Sequence, residues 1–323
     1  REFSNDATVR TQVEIYETIL RRLSHRRGQK EGVLICGAYG NGNVGDETIL
    51  KAILQQLRDR DPDLPVCVMS KTPRRTALQA KASSIYTFNH FQVRRRMREA
   101  KLFISGGGSL IQDATSTRSL WFYLYCIWTA HRKGCRVMMY GCGIGPVKRK
   151  LNRWMAAKVL NACVDLIALR DPDSALELEK LGVTRPECHV TADPALLQTV
   201  PEGAEQNYVR YREAFQKSVG GYIECAGLKE GRSSCLFALR PWGTAKRRLA
   251  AFAAAAEYGW KAYGMTPVFF LLEPDKDREI TQAVAELVRC PKLLLPPVGD
   301  GEVICALMRD MRMVVSMRLH ALI

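Results

Sequence analysis

The sequence has little that could build a disulfide framework or a metal site, and it has no long hydrophobic run. Its five histidines and eleven cysteines include no C-x-x-C pair and no spacing suited to zinc. The longest aromatic-rich run, Leu120 to Ala130, is too short to span a bilayer, and the first residues contain no apolar signal core. We therefore expect a cytoplasmic protein with reduced, mostly buried cysteines and no metal ion.

Acidic residues are also scarce, because 33 Asp and Glu stand against 48 Lys and Arg and leave a net charge of +15. This excess favours anionic partners, namely polyanions, anionic lipid or small acidic substrates. No RNA-binding or DNA-binding motif accompanies the charge, so we expect no nucleic-acid partner. Four aromatic residues could touch the inner face of an anionic membrane, although a helix packed on the core explains them more simply. They are Trp121, Phe122, Tyr123 and Trp128.

What the sequence does contain is a regular alternation of short apolar runs and helix-like segments. This pattern predicts parallel sheets with right-handed crossovers, and 323 residues suffice for two domains. We predict an α/β fold of two Rossmann-like, doubly wound lobes. The predicted domains are a helical lead over 1–30, a first lobe over 31–200, a linker over 201–231 and a second lobe over 232–323. We expect the second lobe to be truncated, because the sequence stops on what resembles a helix start.

A glycine-rich turn follows the first predicted strand and precedes a helix. Gly40, Gly42 and Gly45 spell G-x-G-x-x-G, a pattern that brings phosphate close to main-chain amides. The second strand, however, ends in Ser70-Lys71 instead of the acidic residue that holds a dinucleotide ribose. The turn therefore predicts either phosphate binding or packing, and it gives little support to an NAD site. Its candidate ligand residues are Gly40, Asn43 and Asp46.

Most other unusual residues follow predicted strands, where open parallel sheets bind their ligands. We expect the fourth and fifth strands to end in glycine loops, and later strands to end in arginine or aspartate. The candidates are Gly107, Gly108, Ser109, Gln112, Asp113, Gly143, Gly145, Arg170, Asp193, Arg240 and Arg318. An arginine fork binds carboxylate or phosphate in a bidentate manner, so these three arginines suit a small, multiply charged anion.

Each arginine also has a structural interpretation. Arg170 could pair with Asp171 or cap the helix that follows, and Arg240 could stack on Trp242. His320 is different, because it is the only one of the five histidines at a strand end among polar candidates. A histidine beside an arginine titrates near neutral pH, so His320 is a candidate general acid or base.

Taken in order, these motifs resemble the polysaccharide pyruvyl transferase family, most closely its bacterial S-layer-anchoring (CsaB-type) branch. The resemblance covers residues 33–323 and departs from the family at Leu271–Pro274, where a Pro-Met-Gln-like run is common. Its motifs are the Gly37–Glu47 turn, Gly106–Asp113, Gly143-Ile144-Gly145-Pro146, Arg170-Asp171 with Ser174, Asp193-Pro194, Arg240-Pro241-Trp242 and Met317-Arg318-Leu319-His320-Ala321.

The resemblance implies a glycosyltransferase-B-like pair of lobes with the active site in the cleft between them. It also implies transfer of a pyruvyl group from phosphoenolpyruvate to a sugar as a cyclic ketal, with release of phosphate and without a cofactor. Arg170 and Arg318 would hold the donor's carboxylate and phosphate, and His320 would protonate its methylene carbon. The implied acceptor is an N-acetylmannosamine-type sugar in a cell-wall polymer or in its lipid-linked precursor. The candidate bases, left unranked, are Asp46, Asp113 and Asp193.

Two other functions stay open at this stage. A nucleotide-sugar glycosyltransferase on the same fold could hold a diphosphate in the glycine loops, and nucleotide binding would indicate it. A non-catalytic relative could bind the anion without turnover, and donor binding without phosphate release would indicate that. The sequence predicts no oligomeric state.

Overall fold

A computed structural model describes residues 30–114, 116–197, 233–241, 248–295, 301–309 and 311–322, except for the side chains of Glu302 and His320. Within these residues the chain forms two compact units, one built on a seven-stranded sheet and the other on a four-stranded sheet. The predicted linker over 201–231 and all but the last residue of the predicted lead over 1–30 lie outside the described residues.

The first unit alternates strands and helices as predicted. Its strands are β1 (Val33–Cys36), β2 (Val66–Ser70), β3 (Ser83–Tyr86), β4 (Leu102–Ile111), β5 (Arg136–Ile144), β6 (Leu166–Leu169) and β7 (Glu187–Val190). Its helices are α1 (Val44–Arg60), α2 (Pro73–Ala80), α3 (His90–Glu99), α4 (Thr117–Arg132), α5 (Lys150–Cys163) and α6 (Pro172–Leu181). All strand pairs are parallel, in the order β3-β2-β1-β4-β5-β6-β7. The order reverses between β1 and β4, and open α/β sheets bind ligands at such a switch point.

Helices cover both faces of the first sheet, as is usual for a parallel sheet with mainly apolar inner strands. Every residue of β1, from Val33 to Cys36, is buried. α1 packs Ile49 and Ile53 on one face, and α3, α4, α5 and α6 cover the other. The aromatic-rich run is part of α4, whose Leu120, Leu124 and Ile127 belong to this second core. The inner side of α4 therefore packs on the core, which was the simpler of the two interpretations of the aromatic-rich run.

The second unit repeats the arrangement on a smaller scale. Its strands are β8 (Ser234–Ala238), β9 (Thr266–Phe269), β10 (Leu293–Leu294) and β11 (Met313–Ser316), and its helices are α7 (Leu249–Tyr263), α8 (Pro274–Leu287) and α9 (Gly301–Arg309). The strands are parallel in the order β10-β9-β8-β11, so this sheet has its own switch point between β8 and β11. α7 and α8 cover one face and α9 covers the other.

Most glycines of the two segments lie inside β4 and β5, so the expectation that they form loops beyond the strand ends was wrong for them; Gly145 does follow β5. β4 continues to Ile111 and β5 to Ile144, and these two residues pair with each other. Between Gly108 and Ile111 the register shifts. Gly107 and Gly108 have φ angles of +81° and +70°, a left-handed conformation that lets a strand bulge and then resume pairing.

The structure also bears on the cysteines and on membrane insertion. Ten cysteines lie in the described part of the chain, where they form no disulfide; seven of them are buried, and mostly buried cysteines were predicted. Burial raises the pKa of the Cys142 thiol to about 12, so this thiol stays protonated.

Among the helices of the described segments, none combines the length and the apolar content needed to cross a bilayer.

Candidate functional site

The glycine turn after β1 is held tightly against β2. Gly40 has a φ of +76°, and a Cβ there would lie 2.2 Å from Oγ of Ser70. The Gly40 amide donates to Oε1 of Glu47 at 2.7 Å, and the hydroxyl of Thr72 donates to the Gly40 carbonyl at 3.2 Å. These contacts favour the packing role that the sequence left open at Gly40.

The other predicted residues of the turn stand at the start of α1. Oδ1 of Asn43 accepts a hydrogen bond from the amide of Gly45 at 3.1 Å, as a helix cap does. Asp46 is buried in the first turn, where the helix dipole favours a carboxylate. Its Oδ1 lies 3.0 Å from the position that a Cβ on Gly108 would take. An acidic group from the β1–α1 turn therefore meets the glycine bulge of β4 at the switch point.

Arg170, at the carboxyl end of β6, contacts two predicted site residues. Its Nη1 donates to Oδ2 of Asp193 at 3.0 Å, and its Nη2 donates to Oγ of Ser109 at 3.2 Å. The side chains of Arg170 and Asp193 are only 11% and 4% exposed. Asp171, the partner that the sequence suggested, is farther away at 3.6 Å and caps α6 by accepting from the amide of Ser174. The structure thus joins Ser109, Arg170 and Asp193 from different strands.

Two glycines allow these segments to approach each other. A Cβ on Gly143 of β5 would lie 2.8 Å from Oγ of Ser109 and 3.0 Å from Nε of Arg170. A Cβ on Gly145 would lie 2.6 Å from Cβ of Gln112. A guanidinium has five N–H donors, and the bonds to Asp193 and Ser109 use two of them. Arg170 is therefore oriented by the protein and still able to bind an anion.

Asp113 is engaged in a different way. Its carboxylate accepts hydrogen bonds from the amides of Lys148 and Arg149, at 2.8 and 3.1 Å, and from Nδ2 of Asn152 at 2.9 Å. Burial by itself would raise the pKa of Asp113, but these hydrogen bonds hold it below its ordinary value. Oδ1 of Asn152 in turn accepts from Nε1 of Trp121 at 2.8 Å. Asp113 therefore ties the segment after β4 to the start of α5, and its predicted substrate contact stays a prediction.

Arg318 follows β11 in the second unit, and two carboxylates hold its guanidinium. Its Nε donates to Oδ2 of Asp277 at 3.1 Å, and its Nη2 donates to the other oxygen of that carboxylate. Its Nη1 lies 2.8 Å from Oε2 of Glu273. Asp277 is fully buried, and the Arg318 side chain is 12% exposed. Burial alone would raise the pKa of Glu273, but Lys276 and Arg318 hold it below its ordinary value.

Arg240 follows β8, the other strand at the second switch point. Burial, and then the nearby charge of Arg318, lower its pKa, whereas Asp277 and Glu273 act in the opposite direction. With Lys276, three cationic and two acidic side chains occupy this edge of the sheet, a balance that suits an anionic ligand. Trp242, the predicted stacking partner of Arg240, lies outside the described residues.

The backbone of His320 lies in a short 3₁₀ helix, Leu319–Ala321, directly after Arg318. Its side chain lies outside the described part of the chain, so its role as an acid stays a prediction, as does the cleft between the lobes. Among the side chains that are described, no group of three or more His, Cys, Asp or Glu is arranged to hold a metal ion.

Several residues of these clusters were missed by sequence reasoning. Asp277 and Glu273 look like ordinary acidic residues at the start of a helix, and only the fold brings them to Arg318. Tyr39 is fully buried and donates to the carbonyl of Gly106 at 2.7 Å, across the switch point. Glu47 belongs to the glycine motif, but its contact with Gly40 was not foreseen; burial raises the pKa of Glu47.

The fold defines a class of protein. Two parallel, doubly wound units place this chain among the glycosyltransferase-B-like folds, and solved structures of similar architecture agree. UDP-GlcNAc 2-epimerase from Neisseria meningitidis bound to UDP-GlcNAc matches with a TM-score of 0.53 and 12% identity, over 90% of this chain and 78% of that one. S. aureus MnaA with UDP matches with a TM-score of 0.55 and 12% identity, over 90% and 74%. Anabaena Alr3699/HepE in complex with UDP-glucose matches with a TM-score of 0.53 and 14% sequence identity, over 87% of this chain and 72% of that one.

The sequence identifies the family within this class. Residues 43–323 match the polysaccharide pyruvyl transferase family, and the chain belongs to it. Membership makes the protein a transferase and implies a saccharide acceptor. A search of curated protein sequences gave no match.

Proposed function

We propose that this protein transfers a pyruvyl group from phosphoenolpyruvate to two hydroxyls of a sugar, forming a cyclic ketal and releasing phosphate. Family membership over residues 43–323 supports pyruvyl transfer. The observation that carries the choice of donor is the pair of oriented arginines, Arg170 and Arg318, each at a strand end and each bound to a buried aspartate. Guanidinium groups fixed in this way suit a small donor that bears both a carboxylate and a phosphate.

In the proposed reaction Arg170 and Arg318 bind the donor's carboxylate and phosphate. Protonated His320 donates a proton to the methylene carbon, which becomes a methyl group while positive charge develops on the neighbouring carbon. The first sugar hydroxyl attacks that carbon and gives its proton to a carboxylate. The carbon–oxygen bond to phosphate then breaks, and the second hydroxyl attacks the same carbon, which closes the ring and releases a proton.

Of the three candidate carboxylates, we propose Asp46 as the base because of its position in the fold. Asp113 accepts three hydrogen bonds from the α5 segment and its pKa is lowered, so it is a weak base. Asp193 already accepts a hydrogen bond from Nη1 of Arg170. Asp46 stands at the switch point beside the glycine bulge of β4.

The proposed acceptor is an N-acetylmannosamine-type residue of a cell-wall polymer or of its lipid-linked precursor, and the proposed location of the reaction is the cytoplasm. This part of the proposal rests on the motif resemblance to the S-layer-anchoring branch.

One experiment tests the reaction. The protein is incubated with phosphoenolpyruvate and a glycan that ends in N-acetylmannosamine, and both released phosphate and a mass gain of one pyruvyl unit are measured. His320→Ala should abolish phosphate release and leave donor binding nearly intact, whereas His131→Ala, an exposed residue of α4, should behave as wild type. Unchanged turnover in His320→Ala would contradict the proposed role of His320 as the general acid.

A nucleotide-sugar enzyme is the second candidate, because the similar solved structures hold UDP-GlcNAc, UDP or UDP-glucose. Thermal denaturation with UDP and with phosphoenolpyruvate separates the two. Stabilisation by UDP alone would favour the second candidate. Stabilisation by phosphoenolpyruvate without phosphate release would indicate a non-catalytic, anion-binding relative.

A further inference from the structure

We infer that the outer faces of α3, α4 and α5 form a docking surface for an anionic phospholipid bilayer. This basic aromatic surface consists of the exposed side chains of the three helices, which lie side by side on one face of the first sheet. Its large apolar members are Phe91, Trp121, Tyr125, Trp128, Leu151 and Trp154.

The aromatic residues are arranged for contact with solvent or a partner. Trp121, Tyr125 and Trp128 are spaced four and three residues apart, so they form one stripe on the outer side of α4 and are 44%, 38% and 44% exposed. Trp154 of α5 is 58% exposed and Phe91 of α3 is 79% exposed. Three of the five tryptophans of the chain therefore lie on this surface.

The three helices present these side chains as one continuous surface. Nε1 of Trp121 on α4 donates to Oδ1 of Asn152 on α5 at 2.8 Å. The ring of His90 on α3 lies 6.2 Å from the ring of Tyr125 on α4. Because all three helices pack on the same core, the surface has a fixed shape.

Positive charge is concentrated on the same surface. The three helices contain nine Arg and Lys and a single acidic residue, Glu99, a net charge of +8 out of +15 for the whole chain. The neighbouring helix α6 has three acidic residues and one lysine, and α1 has three of each sign. Two cations lie over exposed indoles, Arg132 at 5.3 Å from the ring centre of Trp128 and Lys158 at 4.8 Å from that of Trp154.

Charge and aromatic side chains together favour a bilayer over other partners. Arginine and lysine attract anionic headgroups, while tryptophan and phenylalanine enter the boundary between headgroups and acyl chains. A second copy of the chain would bring one surface of +8 against another, which repels. A nucleic acid would account for the charge, but it gives no role to Leu151, which is 58% exposed.

The position of the surface connects it with the candidate site. Phe91, Trp121 and Trp154 stand in the first two turns of helices that follow β3, β4 and β5 directly, so they lie near the carboxyl edge of the sheet. Ser109 and Arg170 lie at that edge. Docking on the bilayer would therefore bring the site next to a lipid-linked acceptor; this step rests on the proposed function, whereas lipid binding does not.

Co-sedimentation with vesicles tests the inference. The wild-type protein should bind vesicles of equimolar phosphatidylcholine and phosphatidylglycerol, should bind pure phosphatidylcholine far less, and should be released by high salt because salt screens exposed charges. Arg94→Gln/Arg98→Gln/Lys158→Gln should weaken binding at least tenfold, since each basic residue contributes roughly a fivefold factor near an anionic surface. Trp128→Ser/Trp154→Ser should also weaken it, with less effect on its salt dependence.

Matched controls lie on the second unit. Arg278→Gln/Arg289→Gln/Arg312→Gln removes the same charge, and Tyr258→Ser/Tyr263→Ser removes exposed aromatic rings from α7. Both controls should bind as wild type does. Equal loss in surface and control variants, or equal binding to neutral and anionic vesicles, would overturn the inference. Displacement from vesicles by a short single-stranded RNA that binds more tightly would assign the surface to nucleic acid instead.

The test is independent of the proposed reaction. The surface variants should retain wild-type turnover on a lipid-free, water-soluble glycan, because none of the substituted residues belongs to the candidate site. Vesicle binding without any turnover would support the docking surface and contradict the proposed reaction. Turnover without vesicle binding would support the reaction and contradict the docking surface.

Discussion

The carboxylate of Asp277 holds the guanidinium of Arg318 by both of its oxygens, and Glu273 holds a third nitrogen. The direction of the remaining N–H donors is therefore set by the fold. Asp193 and Ser109 orient Arg170 in the same way in the first unit. A binding group that is already oriented loses less conformational freedom when its ligand arrives, which favours tight and selective binding.

Asp277→Asn should destabilise the protein and weaken donor binding, because it leaves the buried charge of Arg318 without its main partner. Loss of one partner of a buried pair costs about 3 to 5 kcal/mol. Urea unfolding measures the first effect and the KM for phosphoenolpyruvate the second. Asp275→Asn, an exposed carboxylate on the same helix, is the control. Equal stability of the two variants would show that Asp277 does not position Arg318.

Glu47→Gln should change how stability depends on pH. Burial raises the pKa of Glu47 in the folded protein, so the wild type loses stability as pH rises from the unfolded value of about 4.3 through that raised pKa. Glutamine can still accept from the Gly40 amide and lacks this loss. The difference in urea midpoint between variant and wild type should therefore grow with pH over this range. A difference that stays constant over this pH range would contradict the prediction.

Sequence reasoning found the residues of the candidate site more readily than their partners. Arg170 and Arg318 stand out because strand ends and motif order mark them. Their carboxylates are 23 and 41 residues away in the chain, and which acidic side chain meets which arginine depends on how helices pack. Asp171, adjacent to Arg170, was the obvious partner from sequence; it does pair with Arg170, at 3.6 Å, but it also caps α6, and the shorter contact of Arg170 is with Asp193.

At the scale of elements, the central strands β4 and β5, which are irregular at their glycines, position the candidate residues of the first unit. Sequence reasoning predicted the alternation of strands and helices but ended β4 and β5 at their glycines, because glycine disfavours strands. Pairing of the two strands across the middle of the sheet overrides that preference and continues to Ile111 and Ile144. The glycines remain at the carboxyl edge as predicted, but within the sheet.

Gly143→Ala should disturb the site without unfolding the unit. The added Cβ would lie 2.8 Å from Oγ of Ser109 and 3.0 Å from Nε of Arg170, so the guanidinium must shift. Overpacking of this kind costs about 1 to 3 kcal/mol, and the KM for phosphoenolpyruvate should rise.

Gly259→Ala is the matched control for that substitution. It adds a Cβ in the middle of α7 at 3.6 Å from Cε of Met265, an ordinary contact distance. Alanine is the better helix former, so urea unfolding should show equal or higher stability, by up to about 1 kcal/mol. A KM as low as the control's in Gly143→Ala would contradict the predicted shift of Arg170.

At the scale of the whole molecule, each sheet has a switch point, and candidate residues lie at both. The strand order could not be read from the sequence, which predicted only that the sheets are parallel and doubly wound. The net charge of +15 was plain, but its concentration on three adjacent helices appears only when the fold places them side by side. The composition therefore indicates that the expected partner is negatively charged, and the fold indicates which surface of the protein it would contact.

Phosphoenolpyruvate should stabilise the folded protein through both arginines. At a hundred times its Kd, a ligand that binds only the folded state contributes about 2.7 kcal/mol. Arg170→Lys keeps a charge beside Asp193 but loses the planar fork, so most of this stabilisation should disappear. Urea unfolding with and without the ligand measures it, and Arg312→Gln, an exposed change, should retain it. Full stabilisation of Arg170→Lys would contradict a bidentate grip.

Two hydrogen bonds connect Trp121 to Asn152 and Asn152 to Asp113, and this chain gives the protein a built-in optical probe. One end of this chain is a half-exposed indole, and the other end is the peptide segment that directly follows Gln112. Indole emission depends on the polarity and hydrogen bonding around the ring. A version of the protein that keeps Trp121 as its only tryptophan would report a change in the polarity or hydrogen bonding at this ring as a shift of its emission.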